Sequence, residues 1–179
     1  MSLRLFAALP VPPLIADRLT ALQKGVPGAR WRLADAMHIT LRFFGEMDER
    51  LAEELDHELG RIRCAPFELA IHGAGSFGGV DPHAIWLGLA PNPQLKSLAE
   101  KCERAARRAG LAPERRGFKP HVTMAYLGHT DLDRVKAFER RHALFRTPVW
   151  QADRFYLYSS WQKGLGENPY RIEAEYPLV

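Results

Sequence analysis

Apolar residues recur with a period of two in some stretches of this chain and at helical spacing in others, and the two patterns alternate from end to end. Leu3 to Leu9 reads as a strand, stopped by Pro10-Val11-Pro12-Pro13, after which Ile15, Leu19, Leu22 and Val26 fall on one helical stripe. A strand opening at His38 follows Pro27-Gly28 and Trp31, and Asp48 is placed to cap a helix that buries Leu51, Leu55, Leu59 and Ile62. Phe67 to His72 and Ala84 to Leu89 read as strands on either side of a glycine-rich turn, Gly73-Ala74-Gly75-Ser76-Phe77-Gly78. Asn92-Pro93 opens a helix with Leu95, Leu98, Cys102, Ala105 and Ala109 on one stripe, and Gly110 ends it. A strand from His121, a helix from Asp131 with Leu132, Val135 and Phe138 inward, and strands over Arg154 to Ser159 and Tyr170 to Tyr176 complete the chain.

Two of these strands share more than their period. His38-Ile39-Thr40-Leu41-Arg42-Phe43-Phe44-Gly45 is matched by His121-Val122-Thr123-Met124-Ala125-Tyr126-Leu127-Gly128, and each run leads to an aspartate, Asp48 or Asp131. With 7 His and 5 Thr in 179 residues, chance supplies about 0.2 H-x-T triplets, so a matched pair is a structural repeat. Alternation along a strand places His38, Thr40 and Arg42 on one face and Ile39, Leu41 and Phe43 on the other. In the second copy His121 and Thr123 share a face opposite Val122, Met124 and Tyr126. Each strand then buries one side and offers an imidazole and a hydroxyl on the other, where a ligand or water must satisfy them.

The alternating pattern and the repeat predict an α+β fold: two pseudo-symmetric lobes of mainly antiparallel sheet, helices outside, and a central cleft carrying both H-x-T motifs. No Pro/Ser-rich linker divides the chain, so residues 1–179 are expected to form one bilobal domain. A formal net charge of +4, from 25 Lys and Arg against 21 Asp and Glu, is mild and spread along the chain. No apolar stretch is long enough to span a bilayer, and Met1-Ser2-Leu3-Arg4-Leu5-Phe6 is too strand-like for a signal peptide, which points to the cytoplasm. Cys64 and Cys102 lie far apart without C-x-x-C spacing and read as reduced packing residues.

Metal binding is not expected, because no H-x-H, H-x-x-x-H or Cys/His cluster occurs. The run from Gly73 formally matches G-x-G-x-x-G, but Asp81-Pro82 and a strand follow where a dinucleotide site needs a helix. A Gly-Lys-Ser/Thr phosphate loop is also lacking, which argues against ATP-dependent chemistry. The other histidines, His57, His72, His83, His129 and His142, have no matched context and read as solvated or packing residues.

The paired motifs, with Arg4-Leu5-Phe6-Ala7-Ala8-Leu9-Pro10, Arg30-Trp31, Phe118-Lys119-Pro120-His121-Val122-Thr123-Met124, Leu157-Tyr158-Ser159 and Tyr170, resemble the two-histidine phosphoesterase superfamily. The resemblance is strongest to its 2′-5′ RNA ligase-like members, the RNA 2′,3′-cyclic phosphodiesterases, and runs nearly end to end. It implies metal-free, cofactor-free attack of water on a 2′,3′-cyclic phosphate at an RNA end, leaving a 2′-phosphate, with His38 as proton donor to O3′ and His121 as proton acceptor. An imidazole can serve in either state near neutral pH, and one cannot do both at once. Thr40 and Thr123 would hold nonbridging oxygens.

The reverse reaction would be an ATP-independent ligation of RNA ends. The family often carries an arginine five residues after the second histidine, where this chain has Tyr126. Arg42 is the first substitute, ahead of Lys119 and Arg115-Arg116. The expected partner is RNA with a cyclic phosphate end, bound by a monomer. Two alternatives stay open: a phosphodiesterase of small cyclic nucleotides, and a noncatalytic module that binds RNA ends.

Overall fold

The computed structural model describes residues 1–164 and 166–179. Among these residues the strands and helices alternate as the apolar periods require. The principal sheet joins, in order, β10 (Tyr170–Pro177), β9 (Arg154–Ser160), β1 (Ser2–Pro10), β3 (His38–Asp48), β7 (His121–Tyr126), β6 (Ala84–Leu89) and β5 (Ile71–Phe77), with β2 (Arg30–Trp31) also on β7. Every pairing is antiparallel, including the small separate sheet of β4 (Phe67–Leu69) with β8 (Trp150–Ala152).

Helices α1 (Pro13–Thr20), α2 (Glu49–Gly60), α3 (Pro93–Arg108) and α4 (Leu132–Arg141) bury one stripe each. Asp48 accepts from the Leu51 amide at 2.9 Å and Asn92 from the Leu95 amide at 3.0 Å, so both N-termini are capped as their sequences predict. Leu55, Leu59, Leu95, Leu98 and Cys102 are fully buried with Ile39, Leu41, Val122 and Met124 of the central strands. Each such aliphatic side chain contributes about 1.5–3 kcal/mol on leaving water. The helices thus cover the Ile39/Val122 face and leave the histidine face open. No helix among the described residues is long and apolar enough to cross a membrane.

The structure departs from the expected elements at three places. Helix α1 stops at Thr20, and Val26 is buried from the loop beyond it. The stretch from Phe67 divides between two sheets: Phe67–Leu69 pairs with β8, and Ile71–Phe77 pairs with β6. The glycine-rich run is therefore a strand and not a turn. Gly75 serves packing, since a Cβ there would lie 2.3 Å from the Trp86 indole that crosses it.

The third departure concerns the central strands. Opposite β1, Ala8 pairs with Thr40 and Ala7 with Arg42, so Leu41 is an extra residue, a β-bulge. From that point the faces exchange. Arg42 turns to the covered side at 8% exposure, while Phe43 emerges at 53%. Strand β7 does the same: Thr123 pairs with Trp86 and Ala125 with Ile85, leaving Met124 extra and bringing Tyr126 out. The expectation that Arg42 shares the face of His38, with Phe43 and Tyr126 opposite the histidines, is corrected by these matched bulges. Arg42 instead binds Glu103 through Nε at 2.6 Å and the carbonyls of Phe43 and Ala112 at 2.5 and 2.7 Å. Glu103 in turn accepts from the Glu114 amide at 3.0 Å, so the ion pair ties β3 to the segment after α3.

Two stability outcomes follow from this packing. Gly75→Ala should lower the unfolding free energy by about 1–3 kcal/mol in urea titration, because the new methyl must displace a packed indole. Arg42→Met should lower it by about 3–5 kcal/mol, because it strands the Glu103 carboxylate beside two unanswered carbonyls.

Candidate functional site

The two halves of the principal sheet meet where Ile39 of β3 pairs with Val122 of β7, and both residues are fully buried. In an antiparallel register, one step either way from that pair carries His38 toward Thr123 and Thr40 toward His121. Period-two alternation then puts all four on the face opposite Ile39 and Val122. All four line one cavity of about 820 Å³, within the size range of small-ligand sites. Arg32, Phe43, Tyr126 and Tyr170 line it too. All five sequence-selected residues line this cavity, but only four share the open face; Arg42 reaches its wall with the guanidinium already bound to Glu103 and two carbonyls.

The imidazoles are held alike. His38 Nδ1 lies 2.8 Å from the Ala36 carbonyl, and His121 Nδ1 lies 2.6 Å from the Lys119 carbonyl, two residues back in each case. A carbonyl oxygen can only accept, so Nδ1 carries the hydrogen on both rings and Nε2 is left as the working nitrogen. The backbone that supplies these carbonyls is set locally. A short 3₁₀ turn over Ala34–Ala36 precedes His38, and Lys119-Pro120 precedes His121.

Aromatic rings enclose both histidines. His38 packs against Phe6 and the edge of Tyr170, with centroids at 4.9 and 5.0 Å, and against Tyr158 at 6.3 Å. His121 meets the edge of Phe77 at 5.0 Å and Trp86 at 6.2 Å. This packing strips water from the rings and disfavours the imidazolium. Desolvation lowers His38 to about 4; the Ala36 carbonyl works against it, and Arg32 and His121 add to it as nearby positive charge. His121 is lowered as well, again by desolvation first, with the Lys119 carbonyl opposing. Neither threonine hydroxyl hydrogen-bonds to another described residue, so both are available to a ligand.

Arg32 is the residue that sequence reasoning missed. It follows β2, and its amide donates to the Met124 carbonyl at 2.8 Å, which extends the β2–β7 ladder by one residue. Trp31 packs toward Phe138 of α4 at 5.9 Å, so the next residue along faces the cavity. The signal was available in the alternation of Arg30-Trp31-Arg32, but the strand is too short for its pattern to stand out. Of the other cations weighed from sequence, Arg116 lines the cavity and pairs with Glu114 at 3.2 Å, while Lys119 and Arg115 are exposed and do not line it. Phe77 buttresses His121. Among the described residues no three His, Cys, Asp or Glu side chains gather where they could hold a metal ion.

Known proteins share both sequence and architecture with this chain. An RNA 2′,3′-cyclic phosphodiesterase of Aeropyrum pernix is 38% identical over 90 residues, 49% of this chain and 51% of that protein, so that match spans about half of the relative. One of Thermotoga maritima is 31% identical over 149 residues, 81% of this chain and 78% of its own length. The crystal structure of Escherichia coli LigT complexed with 3′-AMP superposes with a TM-score of 0.81 at 26% identity, covering 100% of this chain and 99% of that one. The family description "2'-5' RNA ligase superfamily" matches residues 11–163, most of the sequence and both histidine strands. With its antiparallel sheet, its flanking helices and this run of matches, the chain belongs to the 2′-5′ RNA ligase superfamily.

Proposed function

We propose that this protein hydrolyses 2′,3′-cyclic phosphate ends of RNA to 2′-phosphates, without a metal ion or ATP, with residues 1–179 acting as a single unit. The observation that carries the reading is the pair of imidazoles with matched Nδ1 anchors, Ala36 and Lys119 carbonyls, whose Nε2 atoms serve one cavity. The names of the relatives from Aeropyrum pernix and Thermotoga maritima support the same substrate.

In this mechanism the cyclic phosphate sits over the Ile39/Val122 junction with its nonbridging oxygens on the hydroxyls of Thr40 and Thr123. Nε2 of His121 accepts a proton from water, the water oxygen forms a bond to phosphorus, and the P–O3′ bond breaks. Nε2–H of His38 donates its proton to O3′, leaving the phosphate on O2′. The reaction ends with the proton on His121 in place of His38, and exchange with solvent resets the pair. By microscopic reversibility the same groups can join a cyclic phosphate to a 5′-hydroxyl in place of water.

The lowered imidazoles impose a condition on this scheme. His38, lowered to about 4, is neutral in the free protein at neutral pH, so it must take up its proton together with the anionic substrate. An anion among Arg32, His38 and His121 raises both imidazoles because it favours their charged forms.

The primary test is incubation of an RNA oligonucleotide ending in a 2′,3′-cyclic phosphate with the protein in EDTA, identifying the product. Wild type should release a 2′-phosphate, and His38→Ala and His121→Ala should each slow turnover by about 10²–10⁴-fold. An inert wild type that still binds this RNA would turn the reading to a noncatalytic end-binding module. The electrostatics are checked by NMR titration of the histidine ring protons. In the free protein His38 should titrate near pH 4 and His121 below its ordinary value, and saturating adenosine 2′-monophosphate should raise both. Because a lowered imidazole loses its proton early, kcat/KM should fall as pH rises through neutrality, while kcat, governed by the anion-bound state, should hold to higher pH.

A further inference from the structure

A cyclic phosphodiester carries one negative charge, which grows as water adds to phosphorus, so a cleft that opens it gains from a fixed cation beside the nonbridging oxygens. Four arginines line the cavity: Arg4, Arg32, Arg42 and Arg116. Arg42 is neutralised by Glu103 and gives two further donors to the Phe43 and Ala112 carbonyls, and Arg116 is paired with Glu114. Arg4 stands at the far end of the cavity, across the β1–β3 ladder from Glu46 and four residues short of the Ala8 position that pairs with Thr40.

Arg32 differs from Arg42 and Arg116 in having no carboxylate partner, as Arg4 also has none among the described residues, and differs from Arg4 in lying against Tyr170, whose ring edge meets His38. Among the described residues no carboxylate pairs with it; its guanidinium lies 5.2 Å from the Tyr126 ring centroid and 5.5 Å from that of Tyr170, and one terminal nitrogen donates to the Tyr170 hydroxyl at 2.9 Å. That single bond leaves most of its five donors free. Its backbone is fixed at both ends of the residue, by the amide bond to Met124 and by the Gln23 side chain, which donates to its carbonyl at 2.8 Å. The bulge at Met124 is what turns the Tyr126 ring outward to meet it. An arginine held between two tyrosines has a defined orientation with its charge unanswered, which is the arrangement of a waiting anion site.

We infer that Arg32, positioned by Tyr126 and Tyr170, is the cation that binds the substrate phosphate in this protein and that Tyr126 acts as its support. This assignment rests on the hydrolase reading for its substrate but not for its ligand class, a phosphate monoester or cyclic phosphodiester. It gives β2 a function: the two-residue strand exists where it can deliver a guanidinium to the face shared by His38 and His121. The same charge bears on His38, whose imidazolium it disfavours until an anion arrives.

The test combines Arg32→Gln with a second change that returns the charge from the opposite strand, Arg32→Gln/Tyr126→Arg. Binding of adenosine 2′-monophosphate by titration calorimetry is the readout that needs no turnover, and kcat/KM on the cyclic-phosphate oligonucleotide is the second. Arg32→Gln should weaken the nucleotide by about 10–100-fold, the usual effect of losing a charged hydrogen-bond donor to an anion, with kcat/KM falling at least as far. The double variant should recover a substantial part of both. In the free protein, Arg32→Gln should also raise the pH at which His38 titrates, because a nearby positive charge is removed.

Tyr170→Phe provides a milder variant that keeps the ring and removes the hydroxyl bond; it should weaken the nucleotide severalfold, and it carries the test if Arg32→Gln fails to fold. Unchanged nucleotide affinity in Arg32→Gln, or in Tyr170→Phe should that variant stand alone, would overturn the assignment. If wild type shows no hydrolysis but Arg32→Gln still loses nucleotide affinity, the anion site stands and the hydrolase reading falls.

Discussion

The pairing of Ile39 with Val122 is the contact on which the site depends. Among the described residues it is the one rung that joins the two halves of the principal sheet. Because a strand alternates, burying these two residues under the helices obliges their neighbours His38, Thr40, His121 and Thr123 to face the other way. A slip of one residue at this rung would send the imidazoles into the core and expose the aliphatic side chains. The hydrophobic effect that sets the register is therefore also what assembles the chemistry. Full burial of both residues makes the alternative registers costly.

The second constraint is the pair of β-bulges, one after each threonine. Each inserts a residue, Leu41 or Met124, and reverses the sidedness of the residues that follow it, in β3 as far as a further shift at Phe44. The first frees Arg42 to bind Glu103 beneath the sheet and brings Phe43 out; the second brings out Tyr126. The bulges thus confine the polar, reactive face to the H-x-T tripeptides and give it an aromatic border. That border continues through Phe6, Tyr158 and Tyr170 around His38, and through Phe77 and Trp86 around His121. Gly75 belongs to the same design, since only a residue without a side chain leaves space for the indole that backs His121.

This enclosure has an electrostatic consequence. Rings that exclude water from an imidazole hold it neutral, and a neutral imidazole is ready to accept a proton but not to donate one. In the proposed mechanism the conflict is resolved through the substrate's charge: an anion entering the cavity supplies the field that the packing removed. Arg32 is part of the same balance, because its positive charge opposes protonation of His38 in the empty site and is offset when a phosphate binds. Affinity for the anion and protonation of the acid are then coupled through one charge.

How much of this was legible beforehand depends on the range over which each feature is encoded. Local features were readable: the α+β alternation, the capping of α2 by Asp48 and of α3 by Asn92, and the two H-x-T strands with their shared polar face. Each follows from spacing within a few residues, and helix caps and strand alternation need no distant partner. The side on which Arg42, Phe43 and Tyr126 emerge was not readable, because a bulge is a mismatch with the neighbouring strand and has no signature in its own sequence. The glycine-rich run likewise became a strand only because Trp86 crosses it and β6 offers its backbone. The sequence by itself determined which residues could do the chemistry, through a repeated pattern of imidazole and hydroxyl. Tertiary structure alone decided which cation stands beside them, since the neighbourhood of Arg32, Tyr126 and Tyr170 is made by register between strands far apart in the chain.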